Sequence, residues 1–251
     1  MVRVARRWLW MALAAYLVAL HGVVVVLMVK TDFAVRAGKT LGWLPPEEWT
    51  ERIYRDILLQ AAQDPDVAAG SVVLVGDSII RGVPARAVAA NAANFGIGGD
   101  TTHTLRARLP LLRSLSAAEA IVVGVGVNDL KYRDGAAIAA DYAVLLDGLP
   151  RNVPVIVVSV LPVDASAVQV IARSYLRNPI LRGLNTGLAE MCRQRARCRF
   201  LDVWPEMIDA ASGGLEPSLG GGDGWHLSAA GNRVLGRLIR DAVISARSTR
   251  P

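Results

Sequence analysis

Five short, mostly apolar runs separated by stretches of helical character constrain this chain more than any other feature. They fall at 72–75 (Val-Val-Leu-Val), near 93–95, at 121–125, at 154–160 and at 199–203. Helix-like stretches lie between and after them, near 102–115, 136–148, 176–195 and 228–246. Strands alternating with helices of this length imply βαβ units, hence an α/β domain whose parallel sheet is covered on both faces. An amphipathic helix is expected before the first strand, from Glu47 to about Gln63, with Trp49, Ile53, Ile57 and Leu58 at helical spacing. No internal repeat occurs at solenoid periods.

The first strand ends in Gly76-Asp77-Ser78-Ile79, a turn that leaves a serine hydroxyl at its carboxyl end. Open α/β sheets place their ligand sites there. A serine becomes a nucleophile only with a base in reach, and the chain has three histidines. His21 sits in a long apolar stretch, and His103 opens a helix as a surface residue. His226 lies in Asp223-Gly224-Trp225-His226-Leu227-Ser228, between a glycine-rich loop (213–224) and the last helix. Asp223, three residues earlier, could accept from Nδ1 and leave Nε2 for Ser78, the logic of nucleophile, base and orienting acid. The plainer alternative is a helix start at which Asp223 or Ser228 only caps backbone amides.

A developing oxyanion needs donors aimed at it in advance. Asn94-Phe95-Gly96-Ile97-Gly98-Gly99-Asp100-Thr101 follows a short strand with a glycine turn, which offers the Gly99 N–H. Gly124-Val125-Gly126-Val127-Asn128-Asp129 ends the third strand and offers the Asn128 amide. Singly, both segments are ordinary turn chemistry. Neither holds Gly-x-Gly-x-x-Gly and there is no Walker phosphate loop, so dinucleotide and ATP readings lose their main support.

Taken together, the blocks Gly-Asp-Ser-Ile (76–79), Asn-Phe-Gly-Ile-Gly-Gly-Asp-Thr-Thr (94–102), Gly-Val-Asn-Asp (126–129) and Asp-Gly-Trp-His (223–226) give a resemblance to the SGNH, or GDSL-type, hydrolase family. The second block looks most like the branch related to platelet-activating-factor acetylhydrolase catalytic subunits. The resemblance covers about 70 to 246. It implies Ser78 as nucleophile, His226 as base and Asp223 as its orienter. The Ser78 amide, Gly99 and Asn128 would form the oxyanion hole. It also implies a three-layer α/β/α sandwich with a five-stranded, flavodoxin-like parallel sheet. The Gly-x-Ser-x-Gly elbow of common α/β-hydrolases is absent, in keeping with this family. Asp77, Asp100 and Asp129 read as loop-fixing carboxylates, and Trp225 as a possible wall of the pocket.

Of the 251 residues 53% are hydrophobic and 20% charged, too apolar for disorder and suggestive of a domain plus a membrane segment. The net charge of +6 comes mostly from scattered arginines, lysine occurring only at Lys30, Lys39 and Lys131. No basic stripe with interleaved aromatics is present, so nucleic acid is a poor partner. Trp8 to Val29 carries no charge, between Arg7 and Lys30. At about 1.5 Å per residue that run measures roughly 33 Å of helix, enough for a bilayer core. No Ala-x-Ala-like site follows, so an uncleaved single-pass anchor (span about 8–29, with a linker to 45) is expected ahead of a domain over 46–251. A short basic amino-terminal tail normally stays inside, which points to a bacterial inner-membrane protein with a periplasmic domain. Cys192 and Cys198 are too few for a zinc site. A disulfide between helix end and strand start, and two reduced core thiols, are both open.

The expected activity is therefore that of a membrane-anchored serine esterase working without metal or cofactor. Its substrates would be short-acyl esters such as O-acetyl groups on envelope glycans, or lysophospholipids. Two competitors differ in class: an O-acetyltransferase using the same acyl-enzyme, and a non-catalytic envelope-binding protein on the same fold.

Overall fold

Residues Val72–Gly76 form the first strand, β1, and all five are buried, as a run of apolar side chains without charge demands when both faces of a strand are covered. The computed structural model describes residues 2–30, 51–169, 172 and 175–248. The linker expected to 45 (all but its first residue) and the residues 47–50 lie outside these. The chain divides into two units, Met1–Glu48 and Trp49–Pro251.

In the first unit one helix, α1, spans Val2–Lys30. Its described apolar side chains, among them Trp8, Trp10, Tyr16, Leu17 and Val24, are exposed. Among the described residues no helix is long and apolar enough to cross a membrane, so the spanning anchor expected over 8–29 is not supported there.

The second unit opens with α2, Glu51–Gln63, which buries Ile53 and Ile57. Leu58, expected on the same face, is exposed. After β1 come two short helices, α3 (Ser78–Gly82) and α4 (Ala85–Val88), and then β2 (Ala93–Gly96). Helix α5 (Thr102–Arg108) is shorter than the expected 102–115. Pro110 has no N–H to donate back along the chain, so the helix gives way to 3-10 turns over Leu109–Leu111 and Arg113–Ala117. The remaining elements are β3 (Ala120–Gly124), α6 (Gly135–Asp147), β4 (Val155–Val158), α7 (Asn178–Arg193), β5 (Cys198–Leu201), the short α8 (Trp204–Met207) and α9 (Ala229–Ser248).

The five strands are parallel in the order β2-β1-β3-β4-β5. Side chains alternate across the sheet with period two, which sorts the apolar residues into two cores. Val73, Val75, Ile121, Val123, Val155 and Val157 face a core completed by Leu105 of α5, Ile138 and Tyr142 of α6, and Leu181 and Leu188 of α7. Val72, Leu74, Val122, Ile156 and Val158 face the other, completed by Ile80 of α3, Met207 of α8, and Leu235 and Ile239 of α9. The result is the three-layer arrangement expected. In this strand order the chain reverses direction across the sheet between β1 and β3, and the crevice beyond their carboxyl ends is where such sheets bind ligands.

Cys192 at the end of α7 and Cys198 at the start of β5 are joined in a disulfide, their Cα atoms 5.1 Å apart. The disulfide is thus the reading of this pair that the structure adopts.

Candidate active site

Gly76 lets the chain turn out of β1. Its φ is +152°, and a Cβ there would lie 2.0 Å from the Gly124 carbonyl of β3, so only glycine fits between the two central strands. Asp77 then caps α3 by accepting from the Ile79 N–H at 2.9 Å. These two residues fix Ser78 as the first residue of α3, above the sheet crevice. Asp77 itself is buried. Loss of solvent pushes its carboxyl up to about 7 against the hydrogen bond from Ile79, with Asp100 and Asp129 adding to the rise.

Ser78 Oγ lies 2.9 Å from His226 Nε2. His226 Nδ1 in turn is 2.5 Å from Asp223 Oδ2. A neutral imidazole with its proton on Nδ1 satisfies both contacts: it donates to the carboxylate and accepts from the serine hydroxyl. Asp223 also accepts the backbone N–H groups of His226 (2.9 Å) and Trp225 (3.1 Å), and the Trp225 indole N–H at 2.8 Å. Partial burial pushes Asp223 up. The hydrogen bonds from the His226 ring and the two amides outweigh it and hold the carboxyl below its ordinary value. Asp223 therefore stays ionised beside the base.

The glycine-rich loop that carries this pair is tied down by backbone bonds. Gly221 N–H donates to the His226 carbonyl at 2.7 Å, Ser228 N–H to Leu219 at 2.8 Å, and Asp164 N–H to Gly224 at 2.8 Å. Gly224 has φ +89°, and a Cβ there would stand 2.7 Å from both Asp164 O and Val168 N. The loop thus has one seating against 164–168, and the acid and base ride on it.

The two expected oxyanion donors flank the same crevice. Gly99, at φ +90°, sits in the turn after β2, and the Cβ position of its neighbour Gly98 is 3.8 Å from Ser78 Cβ. Asn128, after β3, donates through Nδ2 to the Asp100 carbonyl at 3.1 Å, which joins the two loops. The amide has two hydrogens, so a second remains for an incoming oxygen. Lys131 Nζ donates to Asn128 Oδ1 at 3.3 Å and so fixes which way the amide faces. Buried carboxylates hold both loops, as expected of them. Asp100 pairs with buried Arg108 at 2.7 Å, while Asp129 accepts the Thr102 hydroxyl at 2.6 Å and its N–H, and pairs with Arg133.

Ser78, Asp223 and His226 are thus brought into one hydrogen-bonded line, with the Gly98–Gly99 turn and Asn128 beside it. His103 is exposed, its Nδ1 3.4 Å from Arg106 Nη2, and His21 Nδ1 bonds the Leu17 carbonyl within α1. Three further residues belong to the site. Trp225 packs edge-on to the His226 ring at 5.2 Å and donates to Asp223. Lys131 lies 5.4 Å from the Trp225 ring centre, linking the Asn128 loop to the acid–base loop. Arg52 of α2 donates to the Gly98 carbonyl at 2.9 Å. Trp225 was singled out from its place between acid and base; of the two residues the sequence reading missed, Lys131 left a local sign, its spacing of three from Asn128, and Arg52 left none. Among the described residues no group of three or more His, Cys, Asp or Glu is placed to hold a metal ion.

The model of the GDSL-like Lipase/Acylhydrolase family matches residues 74–234, which contain every block quoted above. Among solved structures, a Streptococcus pneumonia protein provisionally named a platelet activating factor is 22% identical, with a TM-score of 0.70 over 84% of this chain and 99% of that one. The lipase/acylhydrolase from Enterococcus faecalis is 21% identical, with a TM-score of 0.59 over 70% and 96%. A catalytic mutant of an acetylxylan esterase from Geobacillus stearothermophilus is 16% identical, with a TM-score of 0.54 over 70% and 94%. At these identities the structural likeness shows a shared fold. No curated protein matches the chain.

Proposed function

Because the chain belongs to the GDSL-like lipase/acylhydrolase family and is an ester hydrolase, we propose that it is a serine esterase acting through an acyl-enzyme on Ser78. The observation that carries this reading is the continuous line Ser78 Oγ, His226 Nε2, His226 Nδ1, Asp223 Oδ2. Ser78 Oγ attacks the ester carbonyl as His226 Nε2 takes its proton. The tetrahedral oxyanion is met by the N–H groups of Ser78 and Gly99 and by the Asn128 amide. His226 then returns the proton to the leaving alcohol, and the acyl group stays on Ser78. A water repeats the sequence against the acyl-enzyme, with His226 as base, and releases the carboxylic acid. Asp223 holds the imidazole tautomer throughout and stabilises the imidazolium formed in each half.

The favoured substrates are short-acyl esters, O-acetyl groups on envelope glycans or lysophospholipids. The acetylxylan esterase among proteins of the same fold supports an acetyl ester on a sugar. We place the enzyme at the bacterial inner membrane, held by its amino-terminal segment with its domain in the periplasm. The uncharged sequence run Trp8–Val29, between Arg7 and Lys30, supports the anchor. The disulfide supports an oxidising compartment.

Turnover of p-nitrophenyl acetate by the purified protein tests the chemistry. The wild type is expected to hydrolyse it, and Ser78→Ala to lose activity by at least about 10³-fold, since residual catalysis without the nucleophile rests on binding and oxyanion donors alone. Equal turnover by both would remove Ser78 as nucleophile.

A further inference from the structure

Gly98 and Gly99 share one peptide unit: its oxygen is the Gly98 carbonyl, and its N–H is the Gly99 donor proposed for the oxyanion. Arg52 Nη2 donates to that oxygen at 2.9 Å, from 46 residues earlier in the chain. The turn itself leaves the orientation of this unit open to reversal. Asp100 N–H closes it on the Ile97 carbonyl at 3.2 Å. Gly99 has φ +90° while Gly98 is not in the positive-φ region. That is the type II pattern, and it differs from type I by a flip of the central peptide. With glycine at both central positions neither form is sterically barred. The flip would carry the Gly99 N–H to the opposite side of the turn.

A charge-assisted bond to the Gly98 oxygen holds one side of that equilibrium. The guanidinium is itself held in place by the packing of its helix. Ile53 and Ile57 of α2 bury themselves with Ile97, the first residue of the turn. Gln60 Nε2 donates to the Gly96 carbonyl at 3.4 Å, and its Oε1 accepts from buried Arg108 at 3.1 Å. Arg81 of α3 pairs with Asp56 of α2 at 3.7 Å. Helix α2 therefore grips the oxyanion turn along its length, although it lies before the matched segment 74–234.

We infer that Arg52 is a positioning residue for the Gly99 oxyanion donor, and that α2 is part of the active unit. This rests on the esterase reading above. The guanidinium acts on the far end of the donor peptide, so its removal should slow the chemical step and leave binding of a small neutral ester nearly unchanged.

The full chain is assayed with p-nitrophenyl acetate, an uncharged substrate, as wild type, Arg52→Met and Arg52→Lys. Arg52→Met is expected to lower kcat about 10- to 100-fold, less than or equal to the usual loss for one missing oxyanion donor, with KM changed by roughly twofold at most. Arg52→Lys, which keeps a cationic donor, should recover several-fold of that loss, with the thermal midpoints of all three within a few degrees. Unchanged kcat in Arg52→Met overturns the inference. So does a raised KM with kcat kept, which would make Arg52 a substrate contact. A loss of kcat that tracks a fallen thermal midpoint, with lysine no better than methionine, would assign it to structural support instead. An inactive wild type removes the esterase reading itself, whereas an active wild type with an indifferent Arg52→Met removes only this inference.

Discussion

Asp77 stands immediately before the nucleophile with its carboxyl buried, and its ionisation is coupled to stability. Its folded value, about 7, lies above the ordinary 3.8, so between these pH values the folded state holds a proton that the unfolded state has released. The stability this contributes is complete below about pH 4 and is lost as pH rises through 7. Asp77→Asn keeps a side-chain oxygen for the Ile79 amide and cannot ionise. Its denaturation midpoint is therefore expected to gain on that of the wild type as pH rises from 4 to 7; a constant difference across that range would contradict the burial argument. That Ser78, Asp223 and His226 would meet was legible in the sequence through the resemblance carried by the four blocks together; elimination among three histidines favoured His226, with an acid three residues away, but left a plain helix cap open. Arg52 and the Lys131–Trp225 contact were not, because their partners lie 46 and 94 positions off and only the sheet topology brings them together.

At the scale of elements, each of the five strands falls within a residue or two of its apolar run; the central strands β1, β3 and β4 are uncharged because both faces are covered, while edge strand β5 carries exposed Arg199. Helix ends were less legible. Pro110 stops α5 early, and the segment after Ser78 folds into two short helices that its composition does not announce. Pairing of Cys192 with Cys198 depends on how α7 delivers its last turn to β5, a geometry that spacing alone leaves open. The bridge closes a short loop, so by the chain-entropy estimate its reduction should cost about 2 kcal/mol. Reductant is expected to lower the thermal midpoint by several degrees while ester turnover at room temperature persists, because neither cysteine touches the site. Loss of activity in step with reduction at temperatures below unfolding would contradict that separation.

At the scale of the whole molecule, the catalytic geometry belongs to the unit Trp49–Pro251, while the proposed membrane attachment belongs to Met1–Glu48. Fractionation of cells tests that division. The full chain is expected in the membrane pellet and resistant to carbonate extraction, and a variant starting at residue 46 should be soluble and active. Full-length protein in the soluble fraction would remove the anchor. The site itself is assembled from the ends of β1, β2 and β3, the glycine-rich loop and helix α2, spread over most of the second unit, so its activity reports on the entire sandwich. A serine-reactive fluorophosphonate tests the central claim most directly, since only an activated nucleophile beside an oxyanion hole reacts with it rapidly. Intact-mass and peptide analysis of the treated protein should show one adduct, on Ser78, abolished by Ser78→Ala and slowed in Asp223→Asn. A native protein that takes up no phosphonate, or takes it up at another residue, would contradict the account.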